Sequence, residues 1–117
     1  MKKNTNYISI RDSRKIIKYN IRQMKYYESL KRRKLDPSEY TVPMKNKDNI
    51  IEIDNLKTVF FTDNGTVMSV NGVSFDIPKS KIVGVVGESG CGKSVTSLSI
   101  MQLVQAPQGQ VVDGQIR

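Results

Sequence analysis

Residues 82–94 read IVGVVGESGCGKS, a short apolar run that leads directly into a glycine-rich segment. The run Ile82–Val86 contains no polar side chain, which is typical of a central strand buried on both faces of a sheet. The eight residues after it satisfy the pattern G-x-x-x-x-G-K-[ST] at every fixed position: Gly87, Glu88, Ser89, Gly90, Cys91, Gly92, Lys93 and Ser94. A helix is expected over Val95–Val104. Strand, loop and helix in this order predict an α/β fold built around a phosphate-binding loop.

Each fixed position of the loop has a physical reason. The glycines let the backbone curl so that successive amide N–H groups point at the oxygens of a polyphosphate. Lys93 is expected to place its ammonium group between the β- and γ-phosphates, and the Ser94 hydroxyl to ligate Mg²⁺. The N-terminus of the following helix adds about half a unit of positive charge beside the anion. The competing interpretation is a chance glycine-rich turn between an ordinary strand and helix, with Cys91 a small filler rather than a reactive thiol.

Two antiparallel strands are expected before the loop. Apolar and polar residues alternate from Ile50 to Phe61 and again from Val67 to Ile77, after which Pro78 ends the pattern. Between them lies Asn64-Gly65, a strong hairpin turn because both residue types accept positive φ. The sequence thus predicts a β-hairpin in front of the phosphate-binding loop.

Basic residues are concentrated at the start of the chain. Residues 1–47 hold 14 Lys and Arg against 4 Asp and Glu, whereas residues 48–117 hold 5 against 7. A helix is predicted over Asp12–Leu35, capped by Asp12 or Ser13 and ended by Asp36-Pro37, with a linker over Ser38–Asn49. The asymmetry indicates a basic, partly helical extension and linker at residues 1–47, in front of a separate domain at residues 48–117.

Three roles for this basic helix stay open. It is a solvated leader helix, or an arm that lies on anionic lipid or an acidic partner, or a nucleic-acid binder. Tyrosines among the lysines favour an interface, and they are Tyr19, Tyr26 and Tyr27. No recognition module for nucleic acid is present in the arm, which makes that role the least expected.

Composition excludes several classes of site. The chain has one cysteine and no histidine, so it has no intramolecular disulfide and no plausible zinc or haem site. No apolar run approaches the roughly 18 residues of a membrane-spanning helix, and residues 1–20 lack the apolar core of a signal peptide. The expected location is the cytoplasm.

The combined pattern resembles ABC-transporter ATP-binding subunits. The resemblance rests on the order of elements, on VNGVSF at residues 70–75 and on the Ser-Gly-Cys-Gly form of the loop. Glu88, Val95 and the segment Ser99–Met101 resemble the oligopeptide and dipeptide importers within that family. Residues 50–117, 68 of the 117 residues, carry the resemblance. It implies a P-loop NTPase of the ABC type, represented here by an N-terminal fragment, with ATP and Mg²⁺ as ligands.

The resemblance also implies a stacking residue for adenine. By its place after Asn55-Leu56-Lys57, this residue is Phe60, with Phe61 as the second candidate. Strand alternation puts one of these two side chains outward and the other into the core. The alternative is that both are core aromatics. One departure is Lys79-Ser80-Lys81, where the family turns through a glycine.

Further implications concern the whole subunit. Members of this family work with transmembrane permease subunits and a second ATP-binding subunit at the cytoplasmic face of the cell membrane. Their complete domain is about twice as long, and at Gly114–Arg117 they begin another strand. The glutamine loop, signature motif, acidic strand and switch histidine are not among these 117 residues, so this chain alone is not expected to hydrolyse ATP. A stand-alone nucleotide-binding or membrane-docking adaptor, and a remnant that does not fold, are the alternatives.

Overall fold

The computed structural model describes residues 8–117, so the first seven residues of the predicted extension lie outside the described part. Its elements, in chain order, are α1 Ile10–Arg32, α2 Pro37–Tyr40, β1 Asn49–Thr62, β2 Gly65–Pro78, α3 Lys93–Ile100 and β3 Gly109–Ile116. The strands form one antiparallel sheet in the order β2-β1-β3. The expected α/β class is therefore observed. Within residues 8–117, no helix is both long and apolar enough to cross a bilayer.

The predicted β-hairpin is confirmed. β1 and β2 each contain 14 residues, and Thr62 pairs with Gly65 across a turn at Asp63 and Asn64. Positive φ falls on Gly65, at 138°, and not on Asn64. The two central residues of the turn are therefore Asp63 and Asn64, one position earlier than in an Asn-Gly turn. A β-turn with glycine at its fourth position does not require a positive φ at the asparagine before it.

The prediction of a buried central strand at Ile82–Val86 is wrong for this structure. The segment forms no strand, and Ile82 and Val86 are 101% and 90% exposed. A central strand needs a hydrogen-bonded neighbour on each edge. The three described strands pair with one another around β1, and none of them pairs with this segment. Without such neighbours, residues 83–86 line a groove together with Val73 and Phe75 of β2.

The basic helix is present with shifted ends. α1 begins at Ile10, where the Ser9 hydroxyl accepts a hydrogen bond from the amide of Asp12 at 3.2 Å, so neither predicted cap is used. The helix ends at Arg32, before the Asp36-Pro37 stop. Asp36 instead caps α2, accepting from the Ser38 amide at 3.0 Å. The predicted linker therefore contains a short helix, because an N-cap aspartate followed by proline starts a helix as readily as it ends one.

One face of α1 packs on the sheet. Asn20 is 4% exposed, and its side-chain nitrogen donates to the Thr62 carbonyl at 2.7 Å. The ring of Tyr27 stacks on Phe61 with 6.3 Å between centroids. Farther along, the side-chain amide of Gln110 in β3 donates to Glu28 at 3.0 Å, and this hydrogen bond lowers the pKa of Glu28. Burial and hydrogen bonds thus attach the helix to two strands.

A second set of contacts places α3 against the sheet. Ile53, Leu56 and Val70 form the buried apolar cluster, and Val95 and Ile100 of α3 pack against it. Beside this cluster the hydroxyls of Thr58 and Ser99 are buried and 2.7 Å apart. Since α3 follows the glycine-rich loop directly, these contacts hold one end of the loop in place.

Glu52 fixes the linker to the start of β1. Glu52 is 2% exposed, and its carboxylate accepts hydrogen bonds from the backbone amides of Lys45 and Asn46 at 2.8 and 2.7 Å. The bond from the Lys45 amide is the main reason that the pKa of Glu52 lies below its ordinary value. The end of the linker is therefore part of the folded unit.

The β3 strand begins earlier than the resemblance implied. It starts at Gly109 and not at Gly114, and it pairs with β1 from Phe60↔Gly109 to Ile53↔Ile116. Gly114 has a φ of 99° and crosses so close to Asn55 that a Cβ there would lie 2.6 Å from the Asn55 carbonyl oxygen. The glycine therefore lies inside the strand, where only glycine permits the close approach.

Ser80 has a φ of 56°, in the left-handed region, at the turn where serine replaces the glycine that the resemblance implied. Replacing Ser80 with glycine removes the strain of a Cβ in this region and is expected to raise the free energy of unfolding by about 0.5 kcal/mol, part of the gain being offset by the greater backbone entropy of unfolded glycine. Urea denaturation measures the change. The same substitution at Ser69, in the extended backbone of β2, is the control and should lower stability by about 0.5–1 kcal/mol. A loss of stability for Ser80→Gly would contradict the argument.

Candidate functional site

The glycine-rich loop ends where α3 begins. α3 starts at Lys93, two residues before the predicted start, and ends at Ile100 instead of Val104. Gly92 is its N-cap residue, has a φ of 94° and provides no side-chain cap. A Cβ on Gly92 would lie 2.5 Å from the carbonyl oxygen of Ser69, so glycine lets the loop pass directly over β2. The first amides of α3 lack intrahelical acceptors and remain available to an anion.

The two ends of the loop meet at Gly87. A Cβ on Gly87 would lie 2.6 Å from Cys91 Sγ, so a larger residue at this position would require the Cys91 side chain to move. Cys91 is an exposed free thiol, and its sulfur lies 3.5 Å from the Lys93 ammonium. Gly87 and Cys91 therefore both lie next to the Lys93 side chain.

Lys93 lies across the loop. Its ammonium donates to the carbonyls of Gly87 and Glu88 at 2.7 and 2.5 Å. A phosphate oxygen would compete with these two carbonyl oxygens for the ammonium group. It is the stronger acceptor, because it carries more negative charge. The donor set of amides and ammonium fits a polyphosphate.

Ser94 differs from the other hydroxyl residues of α3. The side chains of Thr96, Ser97 and Ser99 donate back to carbonyls one turn earlier, at 2.8, 3.3 and 2.7 Å. The Ser94 hydroxyl is exposed and has no hydrogen-bond partner within residues 8–117. A hydroxyl oxygen beside a phosphate site fits a Mg²⁺ ion, which prefers oxygen ligands and keeps several waters.

The two aromatic candidates point to opposite sides of β1, as alternation requires. Phe61 is 7% exposed and is stacked on Tyr27 of α1. Phe60 is partly exposed and directed towards β3, where a Cβ on Gly109 would lie 2.8 Å from Phe60 Cε1. Phe61 is thus the core aromatic of the pair, and Phe60 is the one that retains accessible surface.

The structure brings only part of the predicted site together. A cavity of about 390 Å³ between β2 and the loop is lined by Cys91, Gly92 and Lys93 together with Val73, Phe75, Thr96 and residues 83–86. Phe60 is not among its lining residues. The contribution of Val73 and Phe75 was missed, although the alternation of β2 places both on one face and was the signal that could have identified them.

Comparisons with known proteins find relatives for the part of the chain that holds the glycine-rich loop. Residues 70–116 match the family model described as ABC transporter. The chain is 52% identical over 68 residues to the oligopeptide transport ATP-binding protein AppD of Bacillus subtilis, an alignment that covers 58% of this chain and 21% of that protein. It is 49% identical over 69 residues to the dipeptide transport ATP-binding protein DppD of the same organism, covering 59% of this chain and 21% of the relative.

The chain spans about a fifth of the length of these curated relatives, 21% in each case. No solved structure matches it. The segment that matches the family model, residues 70–116, contains the whole glycine-rich loop, α3 and β3. The predicted resemblance to the ATP-binding proteins of ABC transporters, of the oligopeptide and dipeptide kind, is therefore confirmed.

Proposed function

We propose that this chain binds ATP with Mg²⁺ through residues 87–94, and that the longer protein to which it corresponds couples ATP binding and hydrolysis to the import of oligopeptides or dipeptides. The observation that carries the proposal is the closed loop at the start of α3, with the Lys93 ammonium at its centre. The names of the relatives support the peptide substrate. The corresponding partners are permease subunits and a second ATP-binding subunit. The corresponding location is the cytoplasmic face of the membrane.

Within the proposed site, each group has a separate task. The loop amides and Lys93 bind and orient the phosphates, and the Ser94 hydroxyl holds Mg²⁺. A Mg²⁺ ion held by Ser94 would neutralise part of the negative charge of the phosphates. Phe60 stacks on the adenine ring, which binds the base without contributing to the phosphate contacts. Hydrolysis belongs to the longer protein, because no water-positioning group is assigned among these residues.

The Ser94 hydroxyl tests the proposal directly. In titrations of the 117-residue chain with ATP, Mg²⁺ is expected to tighten binding by about tenfold, equivalent to about 1.4 kcal/mol. Ser94→Ala should remove this dependence, because the metal loses its ligand from the protein. Ser97→Ala is the matched control, since the Ser97 hydroxyl already donates to the Lys93 carbonyl. Equal responses of the two variants to Mg²⁺, or no saturable ATP binding by the unsubstituted chain, would contradict the proposed site.

A further inference from the structure

The outward face of α1 carries an unusual density of positive charge. Seven exposed cationic residues recur at intervals of three, four or seven along one side of the helix, apart from one adjacent pair, and they form the cationic stripe: Arg11, Arg14, Lys15, Lys18, Arg22, Lys25 and Arg32. Residues at this spacing share a face of an α-helix. The opposite face is the one that packs on the sheet through Asn20 and Tyr27. The stripe therefore points away from the body of the protein.

Carboxylates leave most of this charge uncompensated. α1 contains two acidic residues, Asp12 and Glu28. Asp12 lies 3.7 Å from Lys15, while Glu28 binds Lys31 and Gln110 beside the sheet. The six other cations of the stripe make no ion pair within residues 8–117. The carboxylates of the chain do not neutralise this positive charge, so the surface favours binding to an anionic partner.

Exposed apolar side chains border the stripe on both sides. Ile10, Ile17 and Ile21 lie along one border and are 40–69% exposed, while Tyr19, Tyr26 and Leu30 lie along the other and are 43–55% exposed. A helix of 23 residues is about 34 Å long. The result is a straight band of cations between two rows of apolar and aromatic groups.

We propose that this face of α1 binds the surface of an anionic lipid bilayer, with the cations on the headgroup phosphates and the bordering side chains at the boundary with the acyl chains. A bilayer meets both parts of the surface, because it offers a plane of negative charge next to apolar material. A nucleic acid would pair with the cations but leave the six bordering side chains in water. Packing on the sheet holds the helix in place before binding, which lowers the entropic cost of adsorption.

The cationic stripe is separate from the proposed nucleotide site. The cations on α1 face away from the sheet, and none of the stripe residues belongs to the loop or to α3. Loss of ATP binding through a loop substitution should leave bilayer binding unchanged. Failure of one assignment is therefore distinguishable from failure of the other.

The test is sedimentation of the full 117-residue chain with vesicles of phosphatidylcholine, with and without phosphatidylglycerol. We expect binding only to the anionic vesicles, weakening as salt rises. Replacing Lys18, Arg22 and Lys25 together with glutamine should weaken binding by about 100-fold, since each removes a cation close to the membrane surface. Glutamine favours helices, so circular dichroism should show α1 retained.

A matched control removes the same charge elsewhere. Lys47, Lys79 and Lys81 are exposed and lie outside α1, so their joint replacement with glutamine gives the same net charge and should change binding by less than about threefold. Equal losses in both triple variants would overturn the proposal, because net charge alone would explain them. So would equal binding to neutral vesicles, or binding of duplex DNA or RNA in the absence of vesicle binding.

Discussion

Replacing Lys93 with alanine is expected to abolish ATP-driven peptide uptake by the longer protein. In the 117-residue chain it should weaken MgATP binding by about 100-fold, a typical loss for a charge-assisted contact removed from a partly enclosed site. The lysine carries the one side-chain cation at the centre of the loop among the described residues. Without it the β- and γ-phosphates keep only amide donors. Isothermal titration with ATP and uptake of a labelled peptide measure the two effects.

The same substitution also removes the hydrogen bonds that close the loop in the free protein. Lys93→Met removes the charge and these hydrogen bonds while keeping much of the side chain's length, so a loss that is equal in the two variants does not come from empty space in the loop. Both variants should lose affinity equally for ATP and for inorganic tripolyphosphate, since the lost contact is to phosphate. Lys81→Ala, an exposed lysine before the loop, is the charge control. Unchanged uptake with Lys93→Ala would refute the proposed role of the loop.

Phe60→Ala is expected to weaken ATP binding by about 10–100-fold, corresponding to the loss of one base–aromatic stack of about 1–3 kcal/mol. Binding of tripolyphosphate, which has no base, should change by less than about threefold. This is the opposite pattern to that of Lys93→Ala, in which both ligands lose affinity. Titrations with the two ligands under the same conditions distinguish the roles. Equal losses for ATP and tripolyphosphate would show that Phe60 serves only the packing around Gly109.

Phe61 provides the control for packing. Its ring is nearly buried under Tyr27, so Phe61→Ala should lower the free energy of unfolding by about 3–5 kcal/mol, the usual loss for a buried phenylalanine. Any effect on ligand binding should then be the same for ATP and tripolyphosphate. Phe60→Tyr keeps an aromatic face and should retain most of the affinity for ATP. Loss of ATP selectivity in that variant would point away from stacking.

The sequence by itself determined the features that depend on neighbouring residues. The pattern at 87–94 predicted a tight loop before a helix, since glycine, lysine and serine at that spacing have few other structural uses. Alternation around Asn64-Gly65 predicted the β1–β2 hairpin, because side-chain direction and turn chemistry are both local. The helical spacing of Ile17, Ile21, Met24 and Leu30 predicted the first helix, and the concentration of charge in residues 1–47 identified that segment as basic. The caps and length of this helix were less accurate, because several nearby Ser and Asp residues compete for the same amides.

Tertiary structure decided what depends on residues far apart in the chain. Asn20 and Thr62 are 42 positions apart, so no local pattern indicated that α1 would pack on the sheet and turn its cations outward. The choice between Phe60 and Phe61 depended on which side of β1 the helix covered. Ile82–Val86 has the composition of a buried strand, yet it lies exposed because strand formation requires hydrogen-bonded neighbours that composition alone does not supply.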